Sequence, residues 1–335
     1  DLHDVDEPFE RLLTQGMVLK DGEKMSKSVG NVVDPIPIIE EFGPDTARVF
    51  VLFAALPEKE FEWSEEGVQG VFRWLRRVEH LFEAKQEREE RTDIDAYIRS
   101  VLHRTIMEVT DAMEQMRFSH AINGLMEFTT VLNKYSQEPV YADVWEECIQ
   151  NLVILIAPFA PHLAEELWHT RHDSYVSVNE WPVPDADAID PGAEAAVELV
   201  DEVIDDIQNV VGMVDFTPSQ VTLIIPTKWK YDFIGVLKDL LETTHNPGEV
   251  IKAIMDTDLK RHGKRIVKMV PAMVKDRSKI PAYLLSQEHE LRTLRSAADM
   301  LADRTNLLVK VVLEDDSKQQ KAAGAMPGKP AIVLS

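Results

Sequence analysis

The sequence predicts a mainly α-helical fold that ends in a small α/β or α+β domain. Apolar residues recur at helical spacing in several stretches between residues 64 and 172, as they do in a bundle of four or five antiparallel helices. Residues 173–192 then combine three prolines with many acids, which is typical of a linker. Beyond residue 193, apolar runs of strand length alternate with helical patterns, and this alternation predicts a domain that contains both elements.

The first 62 residues are expected to be rich in loops. Residues 16–19 are a candidate strand, and Asp21-Gly22 is a turn signal that leads into a polar segment. We call this polar segment, residues 23–31, the lysine loop. Two short helices are predicted after it, at 38–42 and 46–55, the second with Asp45 as its N-cap.

The remaining elements follow from apolar periodicity. Ser64 is the predicted N-cap of the first bundle helix, whose apolar stripe is Val71, Phe72, Leu75 and Val78. The other bundle helices are predicted at 97–113, 122–132, 144–156 and 161–168. In the last domain, helices are predicted at 196–211, 229–241, 249–255, 258–269 and 287–301, and strands at 221–225, 307–313 and 331–334. The predicted regions are therefore 1–62, 63–172, the linker 173–192, and 193–335.

Composition describes an ordinary globular protein. The 335 residues suffice for two or three domains, and no apolar run approaches the ~20 residues of a membrane span. The first residues are acidic, unlike a secretory signal, and the chain does not begin with Met. We therefore expect a piece of a longer, cytoplasmic protein. The single cysteine, Cys148, lies in an apolar helical pattern and is predicted to be a buried small hydrophobe.

The net charge of −23 argues against a nucleic-acid partner unless the charge is unevenly distributed. It is uneven, because residues 252–279 hold nine bases and only three acids. We therefore predict a local basic surface on an otherwise acidic protein.

The lysine loop is the most informative segment. Lys24 and Lys27 lie three residues apart among two serines, and Gly22 and Gly30 flank them. Lysine ammonium groups are mobile point charges that can follow a triphosphate as its charge redistributes, and serine hydroxyls add neutral donors. An arbitrary pair of lysines at this spacing would be a solvated surface turn, so the interpretation depends on the whole string.

The string Lys24-Met25-Ser26-Lys27-Ser28, followed by Val-Gly-Asn, is identical to the KMSKS loop of class I aminoacyl-tRNA synthetases. The resemblance implies the end of a Rossmann-type catalytic domain and a loop that binds ATP, with Mg²⁺ on the nucleotide. It implies catalytic roles for Lys27, as the main contact to the phosphates, and for Lys24, as the second contact. Ser26 and Ser28 would support the ATP-binding loop, and Met25 would pack inward as its anchor.

The family's second motif, His-x-Gly-His, does not occur in this sequence. We therefore expect the chain to lack the other half of the ATP site, most of the amino-acid pocket and any editing domain. The chain alone would then be an incomplete enzyme, and its loop lysines would be exposed and mobile.

Further segments are similar to the Leu/Ile/Val group of this family. Residues 41–48 resemble a segment that follows the loop in that group, residues 57–68 resemble its leucine branch, and residues 157–168 resemble the last helix of its anticodon-binding bundle. Residues 330–334 are similar to the C-terminus of archaeal leucyl-tRNA synthetases. The resemblance implies ATP-dependent formation of leucyl-adenylate and leucine transfer to tRNA-Leu, with the helical region as an anticodon-binding bundle.

Two alternatives stay open. The chain can instead come from a valyl-, isoleucyl- or methionyl-tRNA synthetase of the same group. It can also be a non-catalytic tRNA-binding protein or a split subunit that works with a separate N-terminal catalytic half, although tRNA binding alone does not require an intact lysine loop.

Two clusters are candidates for tRNA contact. The first bundle helix carries Arg73, Arg76 and Arg77 largely off its apolar stripe; a solvated arginine face is an equal alternative. The second cluster lies on the predicted helix 258–269, where lysines and arginines line up at helical spacing. Such a stripe of positive charge favours contact with a polyanionic partner over the alternative of a solvated face. Its members are Lys260, Arg261, Lys264, Arg265 and Lys268.

His162 is predicted to be a structural histidine bonded to backbone, and not a catalytic residue. Glu165 and Glu166 are predicted to be a solvent-exposed pair of acids near the start of a helix, and not acid/base residues.

Overall fold

The computed structural model describes Phe9 and residues 12–335. Predictions that fall on residues 1–8, 10 and 11 lie outside the described residues. The chain forms two compact units, Asp1–Ile189 and Asp190–Ser335, which we call the N-terminal and C-terminal units. In the described part of the chain, no helix is long and apolar enough to cross a membrane.

The N-terminal unit begins with a small sheet and continues as a helical bundle. Its helices are α1 Pro35–Phe42, α2 Pro44–Phe53, α3 Glu65–Leu81, α4 Asp93–Glu114, α5 Phe118–Tyr135, α6 Ala142–Ile156 and α7 Pro161–His169. Its strands are β1 Val18–Lys20, β2 Glu23–Lys24, β3 Phe61–Glu62, β4 Glu87–Arg88 and β5 Val140–Tyr141. One apolar core runs from α2 through the bundle to Val176.

The predicted stripe of α3 is confirmed, because Val71, Leu75 and Val78 are buried and Phe72 is partly buried. Ser64 caps the helix by accepting a hydrogen bond from the Gly67 N–H at 3.1 Å. The stripe also contains Trp74, which was not among its predicted members. This side chain is fully buried, and its indole N–H donates to Thr129 Oγ1 on α5 at 3.1 Å.

Asp45 is not the N-cap of α2, contrary to the prediction. Gly43 occupies that position, Pro44 follows it, and Asp45 lies within the first turn. The Asp45 carboxylate instead accepts the Leu163 N–H at 2.7 Å and contacts His162 Nδ1 at 2.7 Å. It thus satisfies a free N–H at the start of α7, whose own N-cap residue, Ala160, provides no side-chain acceptor.

Residues 173–189 of the predicted linker are folded onto the bundle. The Trp181 indole N–H donates to Thr110 Oγ1 of α4 at 2.8 Å, and the Asp185 N–H donates to His103 Nδ1 of α4 at 3.1 Å. The boundary between the two units falls at Ile189–Asp190, inside the predicted linker. Composition alone therefore overestimated how much of this segment is free of tertiary contacts.

The C-terminal unit is a three-stranded sheet with helices. The helices are α8 Pro191–Val211, α9 Lys228–Leu241, α10 Pro247–Met255, α11 Gly263–Lys275, α12 Gln287–Ser296 and α13 Ala298–Thr305. The strands are β6 Gln220–Ile225, β7 Leu308–Leu313 and β8 Ala331–Leu334. β6 is central, parallel to β7 and antiparallel to β8. One apolar core includes residues of the sheet, α8, α12 and α13, and a second includes residues of α9, α10 and α11.

Two predicted helices of this unit are interrupted. The helix predicted at 258–269 is a 3₁₀ turn, Asp258–His262, followed by α11, which starts at Gly263 and extends to Lys275. Thr257 caps the 3₁₀ turn by accepting the Leu259 N–H at 3.2 Å, and His262, the last residue of that turn, is the N-cap of α11 with φ −101° and ψ 11°. The helix predicted at 287–301 breaks at Ala297, which separates α12 from α13.

Candidate functional site

The lysine loop starts from a tight hairpin. β1 pairs with β2 in antiparallel register, and Asp21 and Gly22 reverse the chain with φ values of 59° and 76°. Both positive φ values suit the two central residues of a type I′ turn, a geometry in which glycine costs little. β3 pairs in parallel on the other side of β1, and Glu62 Oε1 accepts the Gly22 N–H at 3.3 Å. The loop therefore leaves from a sheet that fixes its first residues.

The interior of the loop is a hydrogen-bonded turn around Ser26. Its carbonyl accepts the N–H groups of Val29 at 3.2 Å and Gly30 at 3.1 Å. Its hydroxyl lies 2.6 Å from Ser28 Oγ and also accepts the Val29 N–H at 3.3 Å. These contacts give residues 26–30 a defined backbone path.

Both lysines of the loop are exposed to solvent, Lys24 on β2 and Lys27 within this turn. Lys24, Lys27 and Ser28 are exposed, whereas Met25 and Ser26 are partly buried. The exposed lysines and the half-buried methionine agree with the arrangement expected for an ATP loop, but the roles of these residues in binding and catalysis stay predictions, as does the mobility of the lysines.

A cavity of about 430 Å³ lies beside the base of the loop. It is lined by Lys20 and by three acids, Asp34, Glu41 and Glu65, together with apolar side chains such as Trp63. Its acidic lining disfavours a triphosphate. The groups suited to phosphates are therefore on the exposed side of the loop.

The predicted arginine face lies on α3. Arg73, Arg76 and Arg77 are all exposed, on the side of the helix opposite the buried stripe. Arg76 forms an ion pair with Glu79, one turn further along. An exposed pair of this kind contributes little stability, so the guanidinium stays available to an anionic partner.

The second cluster is exposed, but it does not lie on one continuous helix. Lys260 and Arg261 belong to the 3₁₀ turn, and Lys264, Arg265 and Lys268 belong to α11. The predicted single stripe at i, i+4 and i+8 is therefore wrong, because the break at His262–Gly263 separates its first member from the other two. We call these five residues the basic patch. Within residues 12–335, none of them makes an ion pair.

The basic patch rests on a well-packed support. The His262 ring stacks on Trp229 of α9 at 4.2 Å between centroids, with an interplanar angle of 9°. Burial, and then the charges of Arg261 and Arg265, lower the pKa of His262. Its imidazole is therefore biased toward the neutral form, and the positive charge of this surface comes from lysine and arginine.

A buried lysine fastens the chain next to this support. Lys230 Nζ donates to the carbonyl oxygens of Ala323 at 3.0 Å and Ala325 at 2.6 Å, and lies 2.9 Å from Glu314 Oε2. Burial lowers the pKa of Lys230, and Glu314 opposes that effect. Because all three donors of the ammonium have partners, its burial is compensated.

Two further expectations about α7 need correction. His162 is structural, but its partner is the Asp45 carboxylate instead of backbone, and its side chain is 68% exposed. Glu165 is not merely a solvated acid, because its carboxylate accepts the N–H groups of Val176 at 2.8 Å and Ser177 at 3.2 Å. Burial is the largest single influence and raises the pKa of Glu165, but the bonds from Val176 and Ser177 together outweigh it and leave the pKa below its ordinary value. Glu165 therefore caps the 3₁₀ turn Val176–Val178.

Two family descriptions match the chain. The anticodon-binding domain of tRNA ligase matches residues 95–224, and the class I tRNA synthetases (I, L, M and V) match residues 3–64. The first match covers all but the first two residues of α4, the helices α5 to α8 and most of β6, and so extends beyond the region 63–172 that was predicted for the bundle.

Curated relatives point in the same direction. A leucine–tRNA ligase from Thermotoga maritima is 39% identical over 245 residues, which are 67% of this chain and 29% of the relative. A leucine–tRNA ligase from Geotalea daltonii is 43% identical over 198 residues, which are 55% of this chain and 24% of the relative. The matched part of this chain therefore spans less than a third of the length of either relative.

Solved structures similar to the chain include the ternary complex of Agrobacterium radiobacter K84 agnB2 LeuRS with tRNA and LeuAMS, which matches with a TM-score of 0.50 and 28% sequence identity. The match covers 66% of this chain and 26% of that chain.

Proposed function

We propose that this chain, a homologue of the leucine–tRNA ligases with a class I tRNA synthetase segment and an anticodon-binding domain, supplies the ATP loop and the tRNA-binding surface of a leucine–tRNA ligase. The observation that carries the proposal is the intact lysine loop. Its two lysines are exposed, Lys24 on β2 and Lys27 on the hydrogen-bonded turn, inside the segment that matches the class I synthetases.

The chemistry of the loop follows from charge. In adenylation, a carboxylate oxygen of leucine forms a bond to the α-phosphorus of ATP, and the bond to the bridging oxygen of pyrophosphate breaks. Negative charge therefore builds on the leaving pyrophosphate. Lys27 and Lys24 would neutralise that charge, and the Ser26 and Ser28 hydroxyls would add neutral donors. Contacts that strengthen as the charge develops lower the barrier instead of only tightening ATP binding.

Magnesium would arrive with the nucleotide. Nucleotide phosphates and water commonly supply most ligands of Mg²⁺, so an ion that is carried by ATP needs few ligands from the protein.

Contact with tRNA would use the arginines of α3 and the basic patch. Their exposed cations are concentrated on a protein of net charge −23, so the rest of the surface repels a polyanion and leaves these areas as the favourable sites. The similar solved structure is a complex with tRNA, which supports tRNA as the partner of this chain.

The test of amino-acid specificity is ATP–pyrophosphate exchange by the ligase that contains this sequence, with leucine, isoleucine, valine or methionine, followed by transfer of leucine to tRNA-Leu. We expect leucine to support exchange in preference to the other three and to be transferred to tRNA-Leu. Preference for another of these amino acids would replace the leucine assignment by the corresponding ligase. If none of them supports ATP–pyrophosphate exchange, the non-catalytic alternative would hold.

The test of the basic patch is the salt dependence of tRNA binding. Replacing Lys264, Arg265 and Lys268 by glutamine should reduce the slope of log K against log salt by about 2, since each lost phosphate contact removes about 0.7–0.9. The matched control replaces Lys310, Lys318 and Lys321, three exposed lysines of the same unit, and should change the slope less. An unchanged slope in the patch variant would exclude these residues as phosphate contacts.

A further inference from the structure

We propose that Asn31 is the positioning residue of the lysine loop, acting through Lys27 on the transfer of the ATP α-phosphate. The proposal rests on the proposed function of the loop and adds a residue outside the five that carry its motif. It stands on the contacts of one side-chain amide, which joins the end of the loop to its beginning.

The Asn31 amide makes contacts with both of its ends. Its Oδ1 accepts the Ser26 N–H at 2.9 Å. Its Nδ2 lies 3.3 Å from the carbonyl oxygens of Lys20 and Lys24 and 3.4 Å from that of Glu23. Lys20 and Glu23 are paired across the β1–β2 hairpin, so one side chain ties the loop exit to the sheet from which the loop departs.

The orientation of this amide is fixed by its partners. A backbone N–H can only donate and carbonyl oxygens can only accept, so the oxygen must face Ser26 and the nitrogen must face the hairpin. Aspartate would place a negative oxygen against three carbonyl groups, and alanine would remove every contact. The position therefore requires a group that both donates and accepts.

The backbone places Asn31 where these contacts are possible. Gly30 has a φ of 78°, a region that costs other residues free energy, and its N–H is bonded to the Ser26 carbonyl at 3.1 Å. The chain thereby turns back at Gly30, and Asn31 faces the start of the loop. Ser26 is then held at its N–H by Asn31 and at its carbonyl by Val29 and Gly30.

Lys27 follows directly on this anchored serine. Because both polar backbone groups of Ser26 are bonded, the direction in which the chain enters Lys27 is set before ATP arrives. Loss of the Asn31 contacts would retain the Lys27 ammonium group but allow the backbone of the turn to adopt other conformations. Misplacement of a catalytic group by about 1 Å can cost about 100-fold in rate.

The expected kinetic signature is a loss in turnover instead of ATP affinity. In leucine-dependent ATP–pyrophosphate exchange by the complete ligase, Asn31→Ala should lower kcat by about 10- to 100-fold. The KM for ATP should change by less than about threefold, because the loop acts mainly on charge that develops in the transition state. Thermal unfolding should be unchanged, since the loop is at the surface.

A double-mutant cycle tests whether Asn31 acts through Lys27. Lys27→Ala alone should lower kcat by about 100- to 1,000-fold. If Asn31 acts only through Lys27, adding Asn31→Ala to that variant should change kcat by less than about twofold. A change of that size is within the usual error of a double-mutant cycle. The matched control is Asn179→Ala, which removes an exposed amide that donates to the carbonyls of Tyr175 and Val176 away from the loop. It should leave exchange at the wild-type rate.

The outcomes distinguish the role of Asn31 from the function of the lysine loop. If Lys27→Ala is inactive but Asn31→Ala exchanges at the wild-type rate, the role of Asn31 is wrong and the proposed loop function stands. If the two losses multiply in the double variant, Asn31 acts independently of Lys27 and the proposal is also overturned. If Lys27→Ala exchanges normally, the proposed loop function fails and the role of Asn31 fails with it.

Discussion

Replacing Glu290 by glutamine is expected to remove a pH dependence from the stability of the C-terminal unit. Glu290 lies on α12 and is fully buried. The Tyr231 hydroxyl donates to its Oε2 at 2.8 Å, and the Gly328 N–H donates to the same oxygen at 3.0 Å. Its other oxygen, Oε1, has no hydrogen-bond partner within the described residues. The site therefore stabilises an ionised carboxylate only in part.

Burial raises the pKa of Glu290 from 4.5 to about 7, against the smaller opposing effects of the bonds from Gly328 and Tyr231. Each tenfold change in proton affinity is worth about 1.4 kcal/mol, so ionised Glu290 costs the folded unit about 3 kcal/mol. Between pH 4.5 and 7 the folded state holds a proton that the unfolded state has released. The contribution of Glu290 to stability is therefore complete below pH 4.5, falls as the pH rises, and is lost above pH 7.

Hydrogen exchange of the central strand β6 measures this effect within the C-terminal unit. At each pH, the free energy of opening, corrected for intrinsic exchange, is compared between Glu290→Gln and the wild type. The advantage of the variant should be about 2 to 3 kcal/mol larger at pH 8 than at pH 5. The matched control is Glu288→Gln, an exposed acid on the same helix, which should keep the wild-type pH dependence. If Glu290→Gln also keeps it, the buried carboxyl does not titrate as described.

Three further changes test other contacts. Asp45→Ala removes the acceptor of the Leu163 N–H and should destabilise the N-terminal unit by about 1–2 kcal/mol in urea titration; an unchanged midpoint would show that this cap contributes nothing. Lys230→Ala leaves Glu314 and two buried carbonyl groups without their cation and should cost the C-terminal unit about 3 kcal/mol or more by hydrogen exchange, whereas a cost near zero would contradict the described contacts. Cys148 is fully buried and burial raises its pKa, so iodoacetamide should label it only across the unfolding transition; labelling of the native protein would contradict its burial.

The parts of the structure that sequence could predict are those that depend on near neighbours. The stripe of α3 follows from spacing alone, because a helix that is apolar on one face must bury that face. The burial of Cys148 follows from the apolar pattern around it in the same way, and it is confirmed. The lysine loop is recognisable because its motif is contiguous in the chain.

The parts that escaped prediction depend on contacts between distant segments. Asp45 satisfies the start of α7 more than a hundred residues later, so no local pattern marks it as that helix's cap. Residues 173–189 have the composition of a linker, yet Trp181 and Asp185 find partners on α4. The break before Gly263 redistributes the basic patch over two elements, which a helical-wheel argument does not anticipate. Asn31 follows the motif directly, but its contacts exist only because the loop folds back on the hairpin.

The central claim is that the lysine loop serves ATP chemistry in a leucine–tRNA ligase, and one measurement tests it most directly. Leucine-dependent ATP–pyrophosphate exchange and tRNA-Leu binding should be measured together for the ligase with Lys27→Ala. We expect a loss of exchange of about 100- to 1,000-fold with tRNA binding unchanged. Exchange at the wild-type rate would contradict it.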